Sequence, residues 1–142
     1  MSSGDSKDLL YLYNITESVK RIRSVISSLE EIDPEDEDGI CEKVNTARRT
    51  LETALKIECC FRDLEINGNY SQMLLGSLSN AVKKVKEESF KVLLNKMAEL
   101  LNEFSHDSGK PVKLDKAKVA ATLVLAYIKL LESEIRLESR RW

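Results

Sequence analysis

Apolar residues recur at steps of three and four along most of this chain, the spacing that places them on one face of an α-helix. This pattern predicts a first helix over residues 8–32, with Asp5 or Ser6 available to cap its start. The helix is expected to end at Asp33, because the residue before a proline avoids helical geometry. Its apolar face is formed by Leu12, Ile15, Val19, Ile22, Ile26 and Leu29.

A second run of the same spacing predicts a helix over residues 40–64, which follows an acidic loop at 33–39 with the sequence DPEDEDG. The pair Asn67 and Gly68 is typical of a helix end followed by a turn. One face of this helix carries Ile40, Val44, Ala47, Leu51, Leu55 and Cys59.

Residues 69–105 contain two apolar faces that are separated by the charged stretch KVKEES. The first face consists of Leu74, Leu78, Ala81 and Val85. The second consists of Phe90, Leu93, Leu94, Met97, Leu100, Leu101 and Phe104. This pattern fits either one long helix with a change of phase or two helices that meet near residues 88–89, and the sequence leaves both open.

The last predicted helix follows a loop at 105–114, with Asp115 as its expected cap. Residues 119–131 are almost entirely apolar, so the pattern indicates a central helix that contacts several others. This stretch is shorter than the roughly 20 apolar residues that a membrane span requires. The predicted solvent-facing side is one narrow face that carries Lys118, Thr122, Leu125, Lys129, Glu132 and Arg136.

These elements predict an all-α fold, an antiparallel helical bundle of four or five helices with the C-terminal helix in the centre. The chain of 142 residues has the length of one domain, and we expect a single domain over residues 1–142. Apolar residues make up 42% of the chain, while five Gly and two Pro leave few helix breakers. That composition suits a helical protein with a substantial core.

Charge is distributed unevenly although the net charge is only −2. Residues 1–71 hold nine Lys and Arg against fifteen Asp and Glu, and residues 72–142 hold thirteen against nine. Cys41 lies too far along the chain from Cys59 and Cys60 to bridge to either on one helix, and adjacent cysteines rarely pair. Free thiols predict an intracellular protein in a reducing compartment, cytoplasmic or nuclear.

Three possible chemical sites fail on spacing. An EF-hand placed on the acidic loop has Pro34 at its first ligand position and Asn45 in place of the bidentate carboxylate. His106 lies between Ser105 and Asp107, but contiguous residues on a turn do not converge as a catalytic triad does. Cys59, Cys60 and His106 match no tetrahedral zinc pattern. We therefore predict no catalytic residue, no cofactor, no metal and no enzymatic activity.

The strong helical faces and the absence of visible chemistry predict a non-enzymatic protein–protein interaction module. It would be an adaptor or an assembly subunit of a larger complex, with self-association left open. The C-terminal tail RLESRRW offers Arg136, Arg140, Arg141 and Trp142 as partner-binding residues, because Trp and Arg are enriched at binding hot spots. The alternative for Trp142 is that it folds back onto the bundle.

A second hypothesis is a helical subunit of a nucleoprotein complex. The Lys/Arg surface of the C-terminal half would then contact nucleic acid through Lys83, Lys84, Lys86 and Lys91. Against it, the pI is about 5.6, and free-standing nucleic-acid binders are usually basic over a whole face. An enzyme with a site of scattered carboxylates is the third alternative.

Overall fold

A computed structural model describes residues 3–62, 88–105 and 113–139 of the chain. These residues form four helices, which we label α1 (Ser3–Glu31), α2 (Glu37–Phe61), α3 (Glu88–Ser105) and α4 (Leu114–Ser139). Within the described residues there is no β-strand. The predicted all-α class is therefore confirmed. Whether residues 69–105 form one helix or two stays open, because residues 63–87 lie outside the described ranges.

The turn between α1 and α2 is shorter than the predicted loop at 33–39, because α2 already begins at Glu37. Asp36 caps the helix: its Oδ1 accepts a hydrogen bond from the Gly39 amide at 3.0 Å. Glu37 and Asp38 lie in the first turn, where negative charge is favourable. Gly39 allows the turn to close, since a Cβ there would lie 2.8 Å from Ile32 Cδ1.

Contacts between named side chains fix how the helices run. The rings of Tyr11 and Phe61 meet edge to face with their centroids 6.2 Å apart, so the start of α1 lies beside the end of α2. Tyr127 bonds to Glu58 and Glu134 to Arg62, so α4 runs in the same direction as α2. Helix α1 is therefore antiparallel to both.

Helix α4 is the central element of the bundle, as predicted, because it packs against α1, α2 and α3. One hydrophobic core joins all four described helices. The predicted face of α2 is buried throughout, and most of the predicted face of α1 is buried. The core of α3 and α4 consists of Leu94, Met97, Leu100, Leu101, Ala117, Ala120, Ala121, Val124, Tyr127, Ile128, Leu131 and Ile135.

Two details of the α4 prediction are wrong. The helix begins at Leu114, so Asp115 lies in its first turn instead of capping it. The solvent-facing side is also rotated from the predicted narrow face. Glu132 is buried and Leu125 is half-buried, whereas Val119 and Leu130 are exposed. The error has a physical cause: Glu132 is surrounded by polar partners, and a polar residue with partners can be buried.

Candidate interaction surface

The outward face of α4 carries a row of apolar side chains, which we call the outer stripe. Its members are Val119, Leu123, Ala126, Leu130 and Leu137, at successive steps of four, three, four and seven residues. Val119, Leu130 and Leu137 are 51%, 47% and 57% exposed, and Leu123 is half-buried. These steps keep the stripe on one side of the helix over about 27 Å of its length.

A second exposed apolar group lies at the start of α1, and we call it the amino-terminal patch. It comprises Leu9, Leu10 and Tyr13, each more than half exposed. The contact between Tyr11 and Phe61 places this patch at the end of the bundle where α2 finishes. The carboxyl-terminal turns of α4 lie at the same end, because Glu134 bonds to Arg62 there.

Beneath this end lies a group of four polar side chains, the buried cluster, formed by Glu58, Arg62, Tyr127 and Glu134. Glu58 and Tyr127 are both fully buried. The Tyr127 hydroxyl donates to Glu58 Oε1 at 2.6 Å, and Arg62 Nε donates to Glu58 Oε2 at 2.7 Å. Arg62 Nη2 also donates to Glu134. The buried carboxylate is thus compensated by a cation and a hydroxyl, as buried charges require.

The opposite flank of α4 carries three cations, two of which pair with the carboxylate of Glu132. We call Lys118, Lys129 and Arg136 the basic row. Lys129 Nζ lies 3.0 Å from Glu132 Oε1, and Arg136 Nη2 lies 3.6 Å from Glu132 Oε2. Thr16 on α1 donates a long hydrogen bond of 3.5 Å to the same carboxylate. Burial alone would raise the pKa of Glu132, but the two cations outweigh it and lower that pKa.

These polar contacts determine which side of α4 faces outward. Residues 132 and 134 point about 200° apart around a helix. Glu132 is bonded to α1 and Glu134 to α2, so both flanks of α4 are tied to neighbouring helices. The outer stripe lies between these two flanks on the side away from the core, and the structure holds it there.

The buried cluster is poorly suited to catalysis. Burial and the neighbouring Glu58 raise the pKa of Tyr127 well above its usual value. Burial, with Glu58 as the second cause, raises the pKa of Cys59 to about 11, so its thiol is protonated at neutral pH. Both oxygens of Glu58 already accept hydrogen bonds, and the side chain has no contact with solvent. The arrangement joins α2 to α4 and leaves the Glu58 carboxylate and the Tyr127 hydroxyl inaccessible to a substrate, while Arg62 and Glu134 remain partly exposed.

The structure describes two of the eight residues predicted from sequence to form sites. Arg136 is about half exposed and belongs to the basic row. Lys91 on α3 is half-buried. The other six lie outside the described residues, and their roles stay predictions: Lys83, Lys84, Lys86, Arg140, Arg141 and Trp142.

A shallow polar hollow of about 340 Å³ lies along the first half of α2. Its lining holds two carboxylates and two guanidinium groups, so its charge is balanced: Asp38, Cys41, Glu42, Asn45, Arg48 and Arg49. In the described part of the chain, no three His, Cys, Asp or Glu side chains come together as metal ligands. Nor does any helix in those ranges have the length and apolarity needed to cross a membrane.

Sequence reasoning missed both the outer stripe and the buried cluster. The stripe could have been found from the steps between Val119, Leu123, Ala126 and Leu130, but a core face of α4 has the same spacing. Glu58 lies among apolar residues in the last turn of α2, and a Glu on a helix is ordinarily exposed. Comparison with protein-family models, curated proteins and solved structures finds no match for this chain.

Proposed function

We propose that this protein is a non-enzymatic protein–protein interaction module, an adaptor or an assembly subunit of a larger complex. The observation that carries the proposal is the set of large apolar side chains left exposed on α4 and at the start of α1. Single exposed apolar side chains are common on protein surfaces, and Val92 on α3 is such a case. Aligned apolar groups are characteristic of surfaces that bind other proteins.

The energetics favour an interaction role for these residues. Burying a leucine or valine side chain contributes about 1.5–3 kcal/mol, and the exposed members have realised only part of that. A partner that covers the outer stripe or the amino-terminal patch would recover the rest. The stripe is also presented on a rigid helix, so little conformational entropy is lost on binding.

The described cysteines support an intracellular setting for this interaction. Cys41, Cys59 and Cys60 form no disulfide bond. Free cysteines are usual in reducing compartments, whereas secreted proteins generally pair them.

The nucleoprotein hypothesis predicts a different result when the bound partners are tested with salt and with charge reversal. Binding to nucleic acid through Lys83, Lys84 and Lys86 would weaken steeply with salt and would be lost on charge reversal of the three lysines. Binding through apolar surface would tolerate both changes, because it does not depend on released counterions.

The test is affinity capture of the tagged full chain from its native host, with and without nuclease, read by mass spectrometry. Two double variants add charge to the apolar surfaces: Val119→Glu/Leu130→Glu on the outer stripe and Leu9→Glu/Tyr13→Glu on the amino-terminal patch. Thr53→Glu, at an exposed position of α2, is the matched control.

We expect partners that survive nuclease treatment, are retained by the Thr53→Glu control and are lost from at least one double variant. The proposal is wrong if both double variants retain every partner. Partners that disappear with nuclease, and with charge reversal of Lys83, Lys84 and Lys86, would establish the nucleoprotein function instead.

A further inference from the structure

We infer that the outer stripe binds one amphipathic helix of another protein, with apolar residues at alternating steps of three and four and carboxylates along one edge. This inference rests on the proposed function and names the surface and the partner's chemistry. Three features of α4 support it: the shape of the stripe, its area, and the charge beside it.

The shape fits a helix. The stripe is one side chain wide and about 27 Å long, which corresponds to five helical turns, with the exposed Ser133 between Leu130 and Leu137. Ala126 lies at its middle between Leu123 and Leu130, so a partner side chain has room to insert there. Steps of four and three are those of helices that pack lengthwise against each other with interlocking side chains.

The area is too small for a stable contact between two bundles. A stripe of this length and one helix wide covers roughly 270 Å² if a helix is about 10 Å across. A stable interface between globular partners buries about 800 Å² on each side. A single helix matches the width of the stripe, and it is a common ligand for an apolar groove or face.

Charge argues against an antiparallel pairing of α4 with a second copy of this chain. Any antiparallel two-fold pairing of two α4 helices along the outer stripe would set the basic row beside its own copy. A pairing centred on the stripe would put the two Lys129 residues at almost the same level. Like charges across an interface cost free energy and exclude wrong partners.

The same charge selects the partner that we propose. The basic row has three cations, and the one carboxylate among them, Glu132, is buried. Lys129 and Arg136 are each about half exposed, so they can contact a neighbour while remaining near Glu132. Charged residues that flank an apolar seam commonly set partner choice between helices. A helix with Asp or Glu along this edge is therefore the complementary ligand.

The experiment measures binding of two designed peptides to the full chain by fluorescence anisotropy. Each peptide has about 20 residues, the length of the stripe, with Leu at alternating steps of three and four. One has Glu along one edge, and the other has Lys at the same positions. The protein variants are Val119→Glu/Leu130→Glu, the charge-reversed Lys118→Glu/Lys129→Glu, and the Thr53→Glu control. Helix content by circular dichroism checks that each variant is folded.

We expect the Glu-edged peptide to bind at least about tenfold more tightly than the Lys-edged one, a difference of about 1.4 kcal/mol. Binding should be lost in Val119→Glu/Leu130→Glu and kept in Thr53→Glu. The charge-reversed variant should prefer the Lys-edged peptide.

The inference is overturned if neither peptide binds, if both bind equally, or if the Glu-edged peptide still binds Val119→Glu/Leu130→Glu. The proposed function can still hold after any of those results. It holds if the capture experiment shows that Leu9→Glu/Tyr13→Glu loses partners, because the amino-terminal patch then carries the interaction. The proposed function itself is tested by the capture experiment, and it fails when both double variants retain every partner or when the partners disappear with nuclease.

Discussion

Helix α4 presents two contrasting surfaces. Its inward side holds the Tyr127 hydroxyl and the Glu132 carboxylate in buried positions, while its outward side exposes Val119, Leu130 and Leu137. The inner polar groups are satisfied by Glu58, Lys129 and other partners, so their burial is compatible with a stable fold. The outer apolar side chains remain partly in water, and no contact within the described part of the chain offsets the free-energy cost of exposing them. The contrast separates residues that hold the bundle together from residues whose exposure supports the proposed interaction function.

The largest loss of stability is expected when the cation of the buried cluster is removed. Arg62→Met would leave the fully buried Glu58 without its compensating charge. Breaking a buried ion pair in this way destabilises a protein by about 3–5 kcal/mol. Urea-induced unfolding, followed by circular dichroism, measures the change.

Two controls isolate that effect. Arg48→Met removes a cation whose side chain is 22% exposed, against 28% for Arg62, but its partner Glu52 keeps 20% of its side-chain surface in solvent, whereas Glu58 keeps none. We expect a loss below about 1 kcal/mol there. The double variant Glu58→Gln/Arg62→Met should recover part of the stability, because no charge remains buried. Equal losses for Arg62→Met and Arg48→Met would contradict the role assigned to the cluster.

The next contrast uses two adjacent leucines. Leu131 is 1% exposed and Leu130 belongs to the outer stripe. We expect Leu131→Ala to lower the free energy of unfolding by about 2–5 kcal/mol, because it leaves a cavity in the core. Leu130→Ala should cost about 1 kcal/mol or less, since half of that side chain is already in water. The same unfolding measurement compares the two. A larger loss for Leu130→Ala would mean that the stripe is part of the core.

Much of this fold could be predicted from the sequence, because apolar periodicity determines which helices form and which faces they bury. The faces of α1 and α2 were identified correctly from the steps between Ile15, Val19 and Ile22 and between Leu51 and Leu55. The orientation of α4 was not, because its residues 119–131 are almost entirely apolar and periodicity there gives no preferred face. Glu58 and Glu132 also have partners on other helices, Tyr127 and Thr16, which lie 69 and 116 residues away in the chain, and no local pattern in the sequence brings these pairs together.

The smallest expected effect concerns pH and tests the basic row. The pKa of Glu132 is lower in the folded chain than its ordinary value of 4.5, so its ionised form favours the folded state. That contribution is fully present above pH 4.5 and is lost as the pH falls through the lowered pKa. Glu132→Gln should therefore reduce the free energy of unfolding by about 1 kcal/mol at pH 7.

The difference between wild type and Glu132→Gln should shrink as the pH falls through the lowered pKa of Glu132, because the wild-type carboxyl then becomes protonated in the folded chain too. Glu17→Gln is the control, since Glu17 pairs with Lys20 at an exposed position of α1. We expect almost no change from it at any pH. A difference for Glu132→Gln that stayed constant between pH 7 and strongly acidic conditions would show that Lys129 and Arg136 do not stabilise the ionised carboxylate. Lys129 and Arg136 would then make no stabilising electrostatic interaction with Glu132. In that case only the geometry of α4 would place the basic row beside the outer stripe.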